Sequence, residues 1–227
     1  MTDKFFPIFI NLSNSSCLIV GGGEVGCRKL QDLIASNVAH IIVVESNVIS
    51  KELESIVISD TRIELLFRPF KASDIRGMHL VFAVTNDKLL NKFIVEECKQ
   101  NGIMCDSASD VDDNDFIVPS CVRQNSISIA ISTHGASPAL SRKIKEDLTP
   151  IASKYALLSE VLRRIRPHVL GLNLSSNDNA VIFRRIVNSA LIDTLNSHDM
   201  LSSFKVLSEV LPNNLHKNVK EVLNGLW

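Results

Sequence analysis

The sequence predicts an α/β fold: a doubly wound parallel sheet, then a small α+β region, then a helical C-terminal domain. Three observations carry this. Short apolar runs recur at 17–20 ("CLIV"), 40–46 ("HIIVVES"), 63–67 ("IELLF") and 79–87 ("HLVFAVTND"), the pattern of strands buried on both faces. Helical segments alternate with them, as parallel crossovers require. Beyond Pro150 the apolar residues keep helical spacing, and "GLNLSSNDN" at 171–179 reads as a loop.

The first strand breaks into Gly21-Gly22-Gly23-Glu24-Val25-Gly26, which satisfies G-x-G-x-x-G. A helix over roughly 24–36 follows, with Val25, Leu30, Leu33 and Ile34 on one side. The next strand ends in Glu45, about 20 residues beyond the glycines, where a dinucleotide fold places a carboxylate for the adenosine ribose. Gly21 allows the tight turn, Gly23 lets a pyrophosphate approach the backbone, and Gly26 lets helix and strand pack closely. The helix start offers free amides and a positive dipole end to the phosphates. Strand, glycines, helix, strand and acid in this order read as a Rossmann-like NAD site. Glu45 would repel a 2′-phosphate, which favours NAD over NADP.

Thr85, Asn86 and Asp87 read as helix-capping residues. The helix they start carries Leu89, Leu90, Phe93, Ile94 and Cys98 as its apolar face and stops at Gly102. "IMC" at 103–105 begins a further strand. Ligands in such sheets lie beyond the carboxyl ends of the strands, here Gly21–Gly23, Glu45–Ser46, Thr85–Asp87 and Ser107–Asp110. Residues 116–133 then give two strand-like runs around a Gln124-Asn125 turn, with Ile127, Ile129 and Ile131 on one face. Ser137 fits an N-cap and Pro138 a first helical position. Leu140, Ile144 and Leu148 make a narrow stripe on the helix that follows.

Composition sets bounds. The 227 residues are 45% apolar and 22% charged, with a formal net charge of −1. That excludes the basic excess of a general nucleic-acid or membrane-surface protein. No apolar run approaches the ~20 residues of a membrane helix, and "MTDKFFPIFINL" makes a poor signal peptide. The five cysteines are odd in number and lack C-x-x-C spacing, which reads as a reducing cytoplasm with neither a disulfide framework nor structural zinc. The residues leave the metal question unknown.

With these segments in view, the chain resembles the precorrin-2 dehydrogenase family, which includes the N-terminal module of sirohaem synthases. "PIFINL" (7–12), "CLIVGGGEVGCRK" (17–29), "FIVPS" (116–120) and "ISTHGASPALSRKIKEDL" (131–148) carry the resemblance. It implies NAD⁺-dependent oxidation of precorrin-2 to sirohydrochlorin, with Fe²⁺ insertion in some members. It also implies a homodimer with exchanged segments and domains at 1–112 (NAD-binding), 113–149 (dimerisation hairpin and helix) and 150–227 (helical). Glu24, Val25, Glu45 and Ser46 match the family's dinucleotide-contacting positions beside the glycines, and Thr85 joins the same cleft. The bifunctional members have an aspartate after the fifth strand that serves both reactions. Counting back without gaps from "FIVPS" puts Ser109 at that place and Asp110 one further on, so either the loop shifts by one and Asp110 serves or no carboxylate is used, which puts that role and iron insertion in doubt.

Other groups have a chemical and a plain reading. His134 is a proton-transfer candidate or a loop histidine. Arg123 and Arg142, with the Ser137 helix start, are candidates for the carboxylates of a tetrapyrrole, or solvated surface. Asp112, Asp113 and Asp115 read as a solvated acidic loop rather than a metal site. Cys105 and Cys121 read as buried small hydrophobes, and Arg163-Arg164 and Arg184-Arg185 as solvent-facing. Two rival functions stay open: another NAD-dependent oxidoreductase, and a non-catalytic nucleotide-sensing domain.

Overall fold

The computed structural model describes residues 5–109 and 114–226. The chain divides into two compact units, before and after the Val118–Pro119 bond. In the first, β1 (Ser16–Val20), β2 (His40–Glu45), β3 (Ile63–Phe67), β4 (Leu80–Ala83) and β5 (Met104–Ser107) form one parallel sheet in the order β3-β2-β1-β4-β5. Crossover helices α1 (Glu24–Ala35), α2 (Lys51–Ser59) and α3 (Lys88–Asn101) cover it. Cys17 and Ile19 pack with Leu30 and Leu33 of α1, while Leu18 and Val20 pack with Ile94, Val95 and Cys98 of α3. Both faces of β1 are therefore dry, which is why its sequence shows no polar alternation.

Two helices depart from expectation. α2 was not foreseen: it buries only Leu53 fully, so its apolar periodicity is weak, although Ser50 caps it by accepting the Leu53 amide at 3.1 Å. α3 starts as expected, with Asp87 accepting the Leu89 and Leu90 amides, and stops at Gly102 with φ 67°. Its buried face, however, is Asn91, Ile94, Val95 and Cys98, and Leu89 is 81% exposed. The inward face is one register away from the apolar one because a buried asparagine sits in it.

The second unit opens with an antiparallel hairpin, β6 (Ser120–Gln124) and β7 (Ile127–Ile131). Asn125 turns it with φ 49°, a left-handed conformation that asparagine tolerates. Residues 116–118 are not part of the strand; Phe116 and Val118 pack on the first unit's core. Val122 and Ile131 form a small core with Ile144, Leu148 and Ala152 of α4 (Pro138–Leu170). Helices α5 (Ser176–Val187), α6 (Leu191–Asn196), α7 (Met200–Val210) and α8 (His216–Leu223) then enclose a larger core with the second half of α4.

The expected break at Pro150 does not occur, since α4 runs through it. Pro150 lacks an amide, so the Glu146 carbonyl loses its helical donor, while beside it Thr149 Oγ1 donates to the Lys145 carbonyl at 2.7 Å. The buried stripe continues as Ala152, Ala156, Leu158 and Val161. Burial of that stripe outweighs the roughly 3 kcal/mol that an internal proline costs. Arg164 also departs from a purely solvent-facing role: it binds Glu160 at 2.7 Å and the carbonyls of Val222 and Asn224, tying α4 to the end of α8. Among the described residues no helix is long and apolar enough to cross a membrane.

Two outcomes follow. Pro150→Ala should raise stability by about 2 kcal/mol, the interior-proline cost less the gain in unfolded-chain freedom, read as a higher urea midpoint at unchanged slope. Hydrogen bonds from Arg163 and Arg164 hold the Glu160 carboxyl down at about 2, against an ordinary 4.5. A depressed acid stabilises the fold above its unfolded pKa and loses that contribution as pH falls through the folded one. Urea midpoints should therefore decline between pH 4.5 and about 2, and Glu160→Gln should flatten that part of the profile.

Candidate dinucleotide site

The end of β1 fixes the site. Gly21 has φ 107°, and a Cβ there would stand 2.7 Å from the Val84 carbonyl oxygen. Its amide donates to the Val44 carbonyl at 2.9 Å, so the turn is stitched to β2. A Cβ on Gly26 would collide with the Gly21 carbonyl oxygen. These two glycines are demanded by the chain itself. Gly23 is not: its φ of −71° suits any residue, and a Cβ would meet nothing within 4 Å. Gly23 is the N-cap of α1, and no side chain caps that helix. Within the glycine turn, Gly23 thus faces open space over uncapped amides, the cradle a pyrophosphate takes up.

Around this turn lies a cleft of about 650 Å³. Gly21, Gly22 and Gly23 line it from the end of β1, Glu45 and Ser46 from β2, and Thr85 from β4. β1 and β4 are adjacent in the sheet although distant in sequence, so the cleft opens at the topological switch point, where ligands of such folds bind. Glu45 is 8% exposed. Its Oε2 accepts the Gly22 amide and its Oε1 the Asn47 amide, both at 2.7 Å. A carboxylate offers about four lone-pair sites, so Glu45 fixes the glycine turn and keeps acceptors for ribose hydroxyls.

Comparison with known proteins gives the same reading. Residues 8–120 match the family model described as putative NAD(P)-binding, and residues 124–149 that of the sirohaem biosynthesis protein central region. The siroheme synthase of Methylococcus capsulatus is 32% identical over 167 residues, 73% of this chain and 34% of that protein. That of Zymomonas mobilis is 30% identical over 222 residues, 97% of this chain and 46% of that protein. The chain belongs to the sirohaem synthase N-terminal module family. It spans between about a third and a half of the length of these relatives. The solved structure of SirC, precorrin-2 dehydrogenase, shares the fold, with a TM-score of 0.73 at 24% identity over 91% of this chain and 98% of that one.

Within this family module, the remaining candidates are placed as follows. Glu24 is exposed and 3.6 Å from Arg28, and Val25 packs against the core. Ser109 lies just beyond β5, and its Oγ accepts Asn91 Nδ2 at 2.7 Å. Asp110, Asp112 and Asp113 lie outside the described residues. Asp115 pairs with β5, accepting the Cys105 amide at 2.9 Å. No cluster of metal-ligating side chains occurs among the described residues. Cys105 is fully buried and Cys121 half-buried. In the second unit, Ser137 caps α4 by accepting the Leu140 amide at 3.2 Å. His134 occupies the preceding turn with φ 50°. Arg123 and Arg142 are exposed on β6 and α4.

Three polar groups escaped the sequence reading. Asn91, fully buried, accepts both the amide and the hydroxyl of Thr85, at 3.1 and 2.6 Å, and donates to the Thr85 carbonyl and to Ser109. It joins the loop after β4 to the loop after β5. Lys29 of α1 reaches Asp106 of β5 at 2.6 Å, beside the Phe82 ring. Arg68, after β3, lines the cleft and is paired with Asp74. Asparagine 91 could have been suspected from its place in an otherwise apolar helix face; the other two pairings join residues far apart or on a loop, with no periodic signal.

Gly23→Val should fold with an unchanged melting temperature and lose at least about a hundredfold in NAD⁺ affinity, measured by calorimetry, because the new side chain fills the pyrophosphate's approach. Gly21→Ala should instead lower stability by about 1–3 kcal/mol, the cost of backbone strain in the left-handed region, with the melting temperature as readout.

Proposed function

We propose that the chain is an NAD-dependent oxidoreductase that converts precorrin-2 to sirohydrochlorin in sirohaem biosynthesis. The observation that carries this reading is Gly23, open to solvent above an uncapped helix start in a cleft that ends at Glu45. The relatives named siroheme synthase supply the substrate class. NAD⁺ held in this cleft would supply the two-electron oxidant, taking a hydride from the macrocycle as one proton is released.

The residues divide the work. The backbone of Gly21, Gly22 and Gly23 and the first-turn amides of Glu24 and Val25 would hold the pyrophosphate, with Gly26 seating the helix, and Glu45 and Ser46 would hold the adenosine ribose. Thr85, fixed by Asn91, borders the nicotinamide half. The proton passes through the Ser109–Asp110 stretch, with His134 as the second acid–base candidate. Arg123, Arg142 and the Ser137 helix start take the substrate's carboxylates, in line with the preference of guanidinium for such groups. Counting back from the 116–120 segment sets Ser109 where bifunctional members of the family carry an aspartate, with Asp110 one place further on, so we assign the chain the oxidation and leave metal insertion doubtful. We further infer a homodimer in the cytoplasm. Phe6, Ile8 and Phe9 are 84%, 62% and 75% exposed, an apolar run that a second copy would cover, and the free cysteines suit a reducing compartment.

Purified protein incubated with precorrin-2 and NAD⁺ should develop the sirohydrochlorin visible spectrum, and should not do so without NAD⁺. No spectral change would reject the assignment. Asp110→Ala should slow the oxidation by about 10²–10⁴-fold if that carboxylate takes the proton; unchanged turnover removes it from the mechanism. Fe²⁺ added after oxidation should give no enzyme-dependent loss of the sirohydrochlorin spectrum.

A further inference from the structure

At the ribose end of a dinucleotide cleft, two side-chain choices select the cofactor. A carboxylate takes the free hydroxyls, or an arginine takes a 2′-phosphate. This chain has both in one cleft. Glu45 ends β2, and Arg68 follows the paired end of β3, its amide donating to the Glu45 carbonyl at 2.9 Å. By position Arg68 is the cation a 2′-phosphate would seek.

Its fork is already filled. Arg68 Nη1 and Nη2 donate to the two oxygens of Asp74, each at 2.8 Å, and Nη1 also to the Pro69 carbonyl at 2.9 Å. Asp74 is itself fixed: its side chain is 8% exposed, and its Oδ2 accepts the Lys71 amide at 2.9 Å. Burial alone would raise the Asp74 pKa, but the Arg68 guanidinium and the Lys71 amide bring it below the ordinary carboxylate value. The pair is charged and closed at neutral pH. A bidentate arginine–carboxylate pair uses the same planar donors that a phosphate needs.

We propose that Asp74 is a selectivity lock, a positioning residue that keeps the Arg68 fork from a 2′-phosphate and so reserves the cleft for the unphosphorylated dinucleotide. The lock acts in addition to repulsion by Glu45, and the inference rests on the dinucleotide reading of the cleft. It concerns cofactor choice only and needs no tetrapyrrole to be tested.

The experiment is calorimetric titration of NAD⁺ and NADP⁺ into the full chain. Asp74→Asn should raise NADP⁺ affinity relative to NAD⁺ by about tenfold or more, the scale of one charge-assisted hydrogen-bonding pair. Adding Arg68→Gln to that variant should abolish the gain, which a merely structural role for Asp74 would not do. If Asp74→Asn does not fold, Asp74→Ser makes the same test, since its hydroxyl can still accept the Lys71 amide. Binding of NAD⁺ with an unchanged NADP⁺ to NAD⁺ ratio in the folded variant overturns the lock and leaves the dinucleotide reading standing. A native protein that binds neither nucleotide overturns both.

Discussion

The contact between the Gly21 carbonyl and the backbone of Gly26 is the constraint on which the first unit depends. It seats α1 directly on the end of β1 with no side chain between them. From that seat α1 presents Cys27, Leu30 and Leu33 to one face of the sheet, and its uncapped first turn faces the cleft. A larger residue at Gly26 would lift the helix, and one at Gly21 would strike the Val84 carbonyl, so in either case the packing and the cradle would fail together. The same close approach thus serves stability and ligand access, and the two separate only at Gly23.

Around that turn the site is built from polar groups held by other polar groups. Glu45 is anchored by two backbone amides, Thr85 and Ser109 by Asn91, and Arg68 by Asp74. Asn91 is fully buried and the Asp74 side chain nearly so, and in such surroundings a satisfied network is rigid and an unsatisfied one costly. The loops after β2, β4 and β5 therefore arrive at the cleft with few conformations left to lose on binding, which is the physical meaning of a preorganised site.

How much of this was legible in the sequence follows from range. The parallel sheet, the glycine turn and the caps at Asp87 and Ser137 are local patterns of apolar runs and short-range hydrogen bonds, and they could be read directly. Glu45 was legible because its spacing from the glycines is set by one crossover. α2 was missed because a helix that buries one residue leaves little periodicity. The boundary placed at 149–150 falls inside α4, because burial of one continuous stripe carries the helix through Pro150. Asn91, Lys29–Asp106 and Arg68–Asp74 gain their roles only once the strand order is known, and composition carries no trace of that order. Asn91 also shifted the inward face of α3, so missing the polar residue and misplacing the apolar face were one error.

Ser109 sharpens what the proposed chemistry asks of the protein. A serine hydroxyl whose oxygen accepts from Asn91 is a poor base near neutral pH, and general-base help is worth about 10²–10⁴-fold. Holding the hydride donor against the nicotinamide contributes more, about 7–11 kcal/mol in favourable cases. An oxidation that extends conjugation is downhill and can rely on the second term. Metal insertion displaces pyrrole protons and depends on the first. On the proposed reading, the anchored cleft supplies what oxidation needs whether or not a carboxylate stands at this position, whereas insertion would turn on whether Asp110 takes the place of Ser109.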